Sequence, residues 1–228
     1  MLSPSCGWVG TALTRSPVRR MRVRQCEDGS MRGGDSDARP LPWHFRIVGN
    51  SGSGKSSLAR ELAADLELPR LELDAVFWDA DWTYRDLDEA HELIRTFIAQ
   101  HPDGWVIDGN WTSRLAGFLD PGTPGGADVT VWLDHSRSVV MSRVIRRTLS
   151  RGIRREELWH GNRERPSSWL NMNPDRNIIL WAWTNYSVVR DRMTARMEAG
   201  EPIVRLRGQR EVDVWRTRLV SLRRRSVE

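Results

Sequence analysis

One segment restricts the fold of this chain more than any other: Gly49-Asn50-Ser51-Gly52-Ser53-Gly54-Lys55-Ser56. It meets the pattern G-x-x-x-x-G-K-[ST], in which backbone N–H groups and one lysine cradle a phosphate chain. Phe45-Arg46-Ile47-Val48 precedes it as a short β-like run. Ser57 to Leu66 follows with apolar residues at 58, 62, 63 and 66, which is helical spacing. Strand, glycine-rich loop and helix in that order form a phosphate-binding unit, with the positive end of the helix aimed at the anion. Glycines at 49, 52 and 54 allow the backbone to turn its amides inward.

Lys55 is also the only lysine in the chain; every other basic residue except histidine is arginine. A composition that replaces lysine everywhere but here points to a position where a planar fork cannot serve and a compact ammonium can. The loop therefore predicts a nucleoside triphosphate site. Gly49, Ser51, Gly52, Ser53, Gly54, Lys55, Ser56 and Ser57 hold ATP, and the Ser56 hydroxyl is a ligand of Mg²⁺.

The chain has 228 residues and a formal net charge of +5. Residues 1–42 are poor in apolar runs and rich in Arg, Ser, Gly and Asp, and are expected to be a disordered N-terminal extension. They show no sustained apolar stretch of a targeting signal. Both cysteines, Cys6 and Cys26, lie there, so residues 43–228 have no thiol for a disulfide, a zinc site or a nucleophile. No run reaches transmembrane length. The expectation is a cytoplasmic monomer.

From residue 43 onward β-like runs at 44–48, 71–73, 104–107, 129–133 and 203–206 alternate with helical patterns at 55–66, 86–100, 137–150, 177–199 and 211–225. That alternation predicts an α/β fold in three layers, a five-stranded parallel sheet with helices on both faces. Residues 151–175, rich in Arg, Asn, Pro and Trp, break the pattern and are expected to form a short Arg-rich lid. Apolar positions 179, 183, 186, 189, 193 and 197 read as the core stripe of a helix.

Carboxylates that end strands face the ligand crevice of such a sheet. Asp108, after Trp105-Val106-Ile107, is the candidate that joins Ser56 in placing Mg²⁺. Asp134, after Val131-Trp132-Leu133, competes for that role and reads equally as a helix N-cap. Asp74, after Leu71-Glu72-Leu73, is the candidate base toward the acceptor, with Trp78 beside it as a pocket wall or as packing. Arg143, Arg147 and Arg151 recur every fourth residue and share one helix face. Arg143 and Arg147 are assigned to the transferring phosphoryl group, and Arg155 and Arg163 to the substrate side of the lid.

These strings resemble the adenylate-kinase-like P-loop kinases, and within them the bacterial group labelled DNA topology modulation protein-like. The resemblance spans about residues 44–206. It rests on the glycine loop, Leu73-Asp74-Ala75-Val76-Phe77-Trp78, Trp105 to Trp111, Val131 to Asp134, Arg143 to Arg147 and Glu157 to Glu164. It implies a nucleoside monophosphate kinase-like fold, with Arg143 and Arg147 as the paired lid arginines. Asp108-Gly109 match the start of the family's Asp-Gly-Phe-Pro-Arg, whose arginine falls at Thr112 here. Arg114 is the nearest replacement, and Asn110 lies in the same acceptor-binding stretch.

The leading expectation is thus a Mg²⁺-ATP-dependent phosphotransferase with a small-molecule acceptor, of the small-molecule, nucleoside or nucleotide kinase type. The alternative is an ATP-binding regulatory or DNA-associated protein with little turnover. Its support is the basic C-terminal run with Arg216, Arg218, Arg223, Arg224 and Arg225. Nucleic acid is the less favoured partner, because that run lacks interleaved aromatics.

Overall fold

Strand formation follows the apolar runs closely. The computed structural model describes residues 42–164, 171–174 and 177–227. The expected N-terminal extension, except Pro42, lies outside them, as does part of the expected lid. Five strands form: β1 His44–Gly49, β2 Arg70–Glu72, β3 Trp105–Asp108, β4 Val129–Leu133 and β5 Ile203–Leu206. All neighbours pair in parallel in the order β2-β3-β1-β4-β5. Every residue of β3 and β4 is buried, as a parallel sheet covered on both faces requires.

Alternation along the strands sorts two cores. Phe45 and Ile47 of β1 and Val131 of β4 face α1 (Lys55–Leu66), together with Val212 and Leu219 of the last helix. On the opposite face Trp105 and Ile107 pack against Ala90 and Ile94 of helix Leu87–Gln100. Val48 and Trp132 pack there against Val189 and Met193 of helix Ile178–Glu198. In chain order the helices are α1, α2 (Leu73–Phe77), α3 (Leu87–Gln100), α4 (Thr112–Leu115), α5 (Arg137–Arg154), α6 (Ile178–Glu198) and α7 (Gln209–Val227).

Several expectations change. Residue 73 is not strand: β2 ends at Glu72, because fully buried Leu73 starts α2 and packs with Phe77. Asp74 therefore stands in the first turn of a short helix, not at a strand end. Helix α5 runs on through Arg154, so the first four residues expected in the lid are helical. Asp134 is not the helix cap: Ser136 occupies the N-cap position, and Asp134 accepts from Arg205 Nε at 2.8 Å and does not line the large cleft at the glycine loop. The α6 stripe is half right. Val189 and Met193 are buried, whereas Trp183 is 51% exposed, with the Arg137 guanidinium 4.6 Å from its ring centre.

Candidate functional site

The loop after β1 is held from three sides. Ser53 N donates to the Asn50 carbonyl (3.0 Å), closing the first bend, and Leu58 N donates to the Gly54 carbonyl (3.0 Å), opening α1. Gly52 and Gly54 have φ of 81° and 94°, the left-handed region that a side chain strains. At Gly52 a Cβ would also meet Val144 Cγ2 at 2.5 Å and the Val140 carbonyl at 2.7 Å. Helix α5 is therefore packed directly on the loop. Asn50 Nδ2 donates to the Ala182 carbonyl of α6 at 2.7 Å.

Asn110 fixes the loop's origin. Its Oδ1 accepts from Gly49 N at 3.2 Å, and its Nδ2 donates to the Gly49 carbonyl at 3.0 Å. Both ends of the amide bond the backbone and align β1 with the end of β3, and Asn110 also lines the cleft at those strand ends.

A cleft of about 2110 Å³ opens where β1, β2 and β3 end. Sheet order reverses direction around β1, which is the place where open α/β sheets hold ligands. Ser51, Gly52, Gly54, Lys55, Ser56 and Ser57 line it; Gly49 and Ser53 stand behind as support. Among the described residues the Lys55 ammonium has no hydrogen bond or ion pair. Arg147 Nη2 donates to Ser51 Oγ at 2.9 Å, and Arg143 Nη1 donates to the Ser53 carbonyl at 3.3 Å. Both arginines thus rest on the loop, and both line the cleft. Burial, and then the neighbouring Arg151 charge, lower the Arg147 pKa. A guanidinium so placed is poorly neutralised and suited to an anion.

Three oxygen-bearing side chains meet at the strand ends. Ser56 Oγ donates to Glu72 Oε1 at 3.3 Å, and Glu72 is the register partner of Asp108. Asp108 is 1% exposed; its Oδ1 accepts from Arg70 Nε at 2.9 Å, while its Oδ2 is buried and has no hydrogen-bond partner among the described residues. An orphaned carboxylate oxygen beside a hydroxyl and a second carboxylate, with no nitrogen or sulfur donor, fits a hard divalent cation such as Mg²⁺. Burial raises the Asp108 pKa, and the Arg70 charge offsets part of that.

Glu72 was not foreseen. Setting the strand boundary one residue late makes it read as mid-strand, although a carboxylate two residues before Asp74 was a visible signal.

Across the cleft lies an aromatic wall. Asp74 Oδ1 accepts from Trp111 Nε1 at 2.6 Å. Residues 77–85 fold back on themselves, with Arg85 N donating to the Phe77 carbonyl at 2.9 Å. Trp78 stacks on Tyr84 with ring centres 4.8 Å apart and meets Trp111 edge-on at 5.4 Å. Arg114 is not part of the cleft lining. Its Nη2 donates to the Arg85 carbonyl at 2.7 Å, and its guanidinium lies between the rings of Phe77 and Tyr84.

After α5 the chain turns back at residues 159–161, in the stretch expected to form the lid. Buried Asn162 docks it: its Oδ1 accepts from Trp82 N (2.8 Å) and its Nδ2 donates to the Asp79 carbonyl (2.7 Å). His160 Nε2 donates to the Ala75 carbonyl at 2.8 Å. Asp81, Trp82 and His160 have positive φ, so the two turns that meet at Asn162 carry strain which their contacts hold in place. Arg155 and Arg163 both line the cleft, with Arg163 paired to Glu157 at 3.2 Å. Of the expected lid, residues 165–170 and 175 are outside the described residues.

No family model matches the chain, and no curated protein matches it in sequence. Among solved structures it is similar to shikimate kinase from Acinetobacter baumannii in complex with shikimate. Identity there is 15%, the TM-score is 0.50, and the match covers 80% of this chain and 92% of that one. A gluconokinase from Sinorhizobium meliloti 1021 aligns at 21% identity and a TM-score of 0.45, covering 83% of this chain and all of that one. The likeness is one of fold: a five-stranded parallel sheet flanked by helices, as in the P-loop kinases.

Proposed function

We propose that the protein is a Mg²⁺-ATP-dependent phosphotransferase acting on a small-molecule acceptor. One observation carries the reading: the Lys55 ammonium, unpaired among the described residues, the loop-bound Arg143 and Arg147, and Asp74 all line a single cleft. The narrower likeness to the DNA topology modulation protein-like kinases is supported by Asp108-Gly109-Asn110 and Trp159-His160-Gly161-Asn162-Arg163-Glu164.

In this reading the loop amides and Lys55 bind the triphosphate. Ser56, Asp108 and Glu72 would hold Mg²⁺ or its waters, and the bound ion would supply charge neutralisation to the phosphates. Arg147 and Arg143 stabilise charge on the γ-phosphoryl oxygens from the α5 side. Asp74 accepts the acceptor's proton. The Asn162-docked lid covers the cleft and limits transfer to water.

Replacement of Lys55 tests it. A Lys55→Ala protein with unchanged far-UV dichroism should show no ATP-dependent γ-phosphoryl transfer. Transfer at the wild-type rate would refute the assignment. Arg147→Ala should lower turnover roughly 10²–10³-fold, as loss of a positioned transition-state donor does.

A further inference from the structure

The geometry points to Trp111 as a positioning residue whose indole N–H fixes the Asp74 carboxylate at the phosphoryl end of the cleft, an inference that rests on the phosphotransferase reading. Trp111 Nε1 donates to Asp74 Oδ1 at 2.6 Å, and both residues line the cleft. Asp74 stands in the first turn of α2, and buried Phe77 lies three residues later on the same face. The indole meets both of them. It stacks on the Phe77 ring with centres 4.8 Å apart while its nitrogen reaches the carboxylate. Trp78 and Tyr84 meet the same indole edge-on at 5.4 and 6.0 Å. The side chain is held on several sides, which sets the direction of its N–H.

The backbone beneath that indole is strained and anchored. Trp111 has φ 35° and ψ 29°, a left-handed conformation that costs a bulky residue more than glycine or asparagine. One residue earlier, Asn110 clamps both backbone groups of Gly49, and its own carbonyl accepts from buried Arg46 Nη2 at 3.1 Å. Adjacent residues therefore tie the glycine loop and the candidate base to one stretch of chain after β3. Phenylalanine would satisfy the stack on Phe77; what tryptophan adds is the donor. The Asp74 charge acts on Arg147, whose Nη2 rests on Ser51 Oγ at 2.9 Å, so the carboxylate lies toward the loop arginines. With Oδ1 bound to the indole, Oδ2 is the oxygen that serves the acceptor. The acceptor oxygen attacks the γ-phosphorus, its proton passes to Asp74 Oδ2, and the bond to the β,γ-bridging oxygen breaks with its electron pair leaving on ADP. Loss of the indole N–H lets the carboxylate rotate while base and loop both remain.

A pair of substitutions separates positioning from packing. Trp111→Phe keeps a ring for the Phe77 stack and removes the donor. Trp111→His gives up stacking area, but its Nε2 takes the place of the indole nitrogen in the same rotamer and can donate there. Initial rates are read as transfer of labelled γ-phosphate from Mg²⁺-ATP to a pool of nucleosides, nucleoside monophosphates and pyranoses, with folding checked by far-UV dichroism. Trp111→Phe should lower the rate at saturating ATP about 10–100-fold, while the KM for ATP moves less than about twofold. Trp111→His should stay several-fold faster than Trp111→Phe. In an Asp74→Asn background, which keeps the indole's acceptor but loses the base, Trp111→Phe should cost nothing further. A Phe variant as fast as wild type or faster than the His variant, or an equal loss with and without Asp74, overturns the inference and leaves the phosphotransferase reading standing. Should Trp111→Phe not fold, the His variant decides: a rate near wild type is expected, and a loss as deep as that of Asp74→Asn overturns it. No transfer by the wild-type protein removes the phosphotransferase reading itself, and this inference with it.

Discussion

Asp108 shows how one buried residue sets a pH window. Burial holds its proton above the usual carboxylate range, against the partial opposition of Arg70. A raised folded-state pKa means that Asp108 protonates while an ordinary aspartate is still ionised, and a protonated Asp108 is a poor partner for Mg²⁺. The folded chain binds that proton more tightly than the unfolded one, so protonating this group does not destabilise the fold. Activity should therefore fall on the acid side before unfolding begins, and Asp108→Asn should remove that limb together with most turnover. A pH–rate profile run beside a pH–dichroism profile checks the order of the two losses. Glu72→Gln should weaken Mg²⁺ dependence roughly 10–100-fold, as loss of an outer-shell partner does, read by titrating Mg²⁺ at fixed ATP. The loop residues could be read from sequence because their chemistry is local: glycine torsions, amides and one ammonium. Glu72, Asn110 and Arg114 could not, since their roles depend on partners between 16 and 61 residues away.

At the scale of elements, the strands and long helices were visible in apolar periodicity, while α2, α4 and the lid turn were not. These three are four- or five-residue helices or single turns, too short to repeat a pattern. Their geometry comes from tertiary contacts instead. Asn162 joins two such turns through hydrogen bonds to Asp79 and Trp82, each contributing about 0.5–1.5 kcal/mol. Asn162→Ala should therefore release the lid and raise acceptor-independent ATP hydrolysis several-fold while acceptor phosphorylation falls. Both rates falling in equal proportion would contradict a covering role. Arg151 marks the junction: still on α5, it is bonded to Glu164 at 3.4 Å, linking the helix to the far end of the lid turn.

Across the whole molecule, one buried network was hidden in a strand that reads as ordinary. Arg46 of β1 is 1% exposed and bonds Asp120 at 2.6 Å; Asp120 also holds Arg196 of α6, which pairs with Glu201. Burial lowers the Arg46 pKa to about 10, so it remains charged at neutral pH. Asp120→Ala would leave two guanidinium groups facing each other, and should destabilise the protein by about 3–5 kcal/mol in urea unfolding. The C-terminal basic run is partly absorbed into the same fold. Arg216 is paired with Glu61 and Asp65 of α1, and the Arg223 guanidinium lies 4.2 Å from the ring centre of Trp43. Among the described residues no helix is long and apolar enough to cross a membrane. The proposed activity depends most on the glycine loop and its lysine. Titration calorimetry of Mg²⁺-ATP into the wild-type protein and into Lys55→Ala tests it directly. Saturable heat at one site in the first and none in the second is the predicted result; equal binding by both, or by neither, would contradict it.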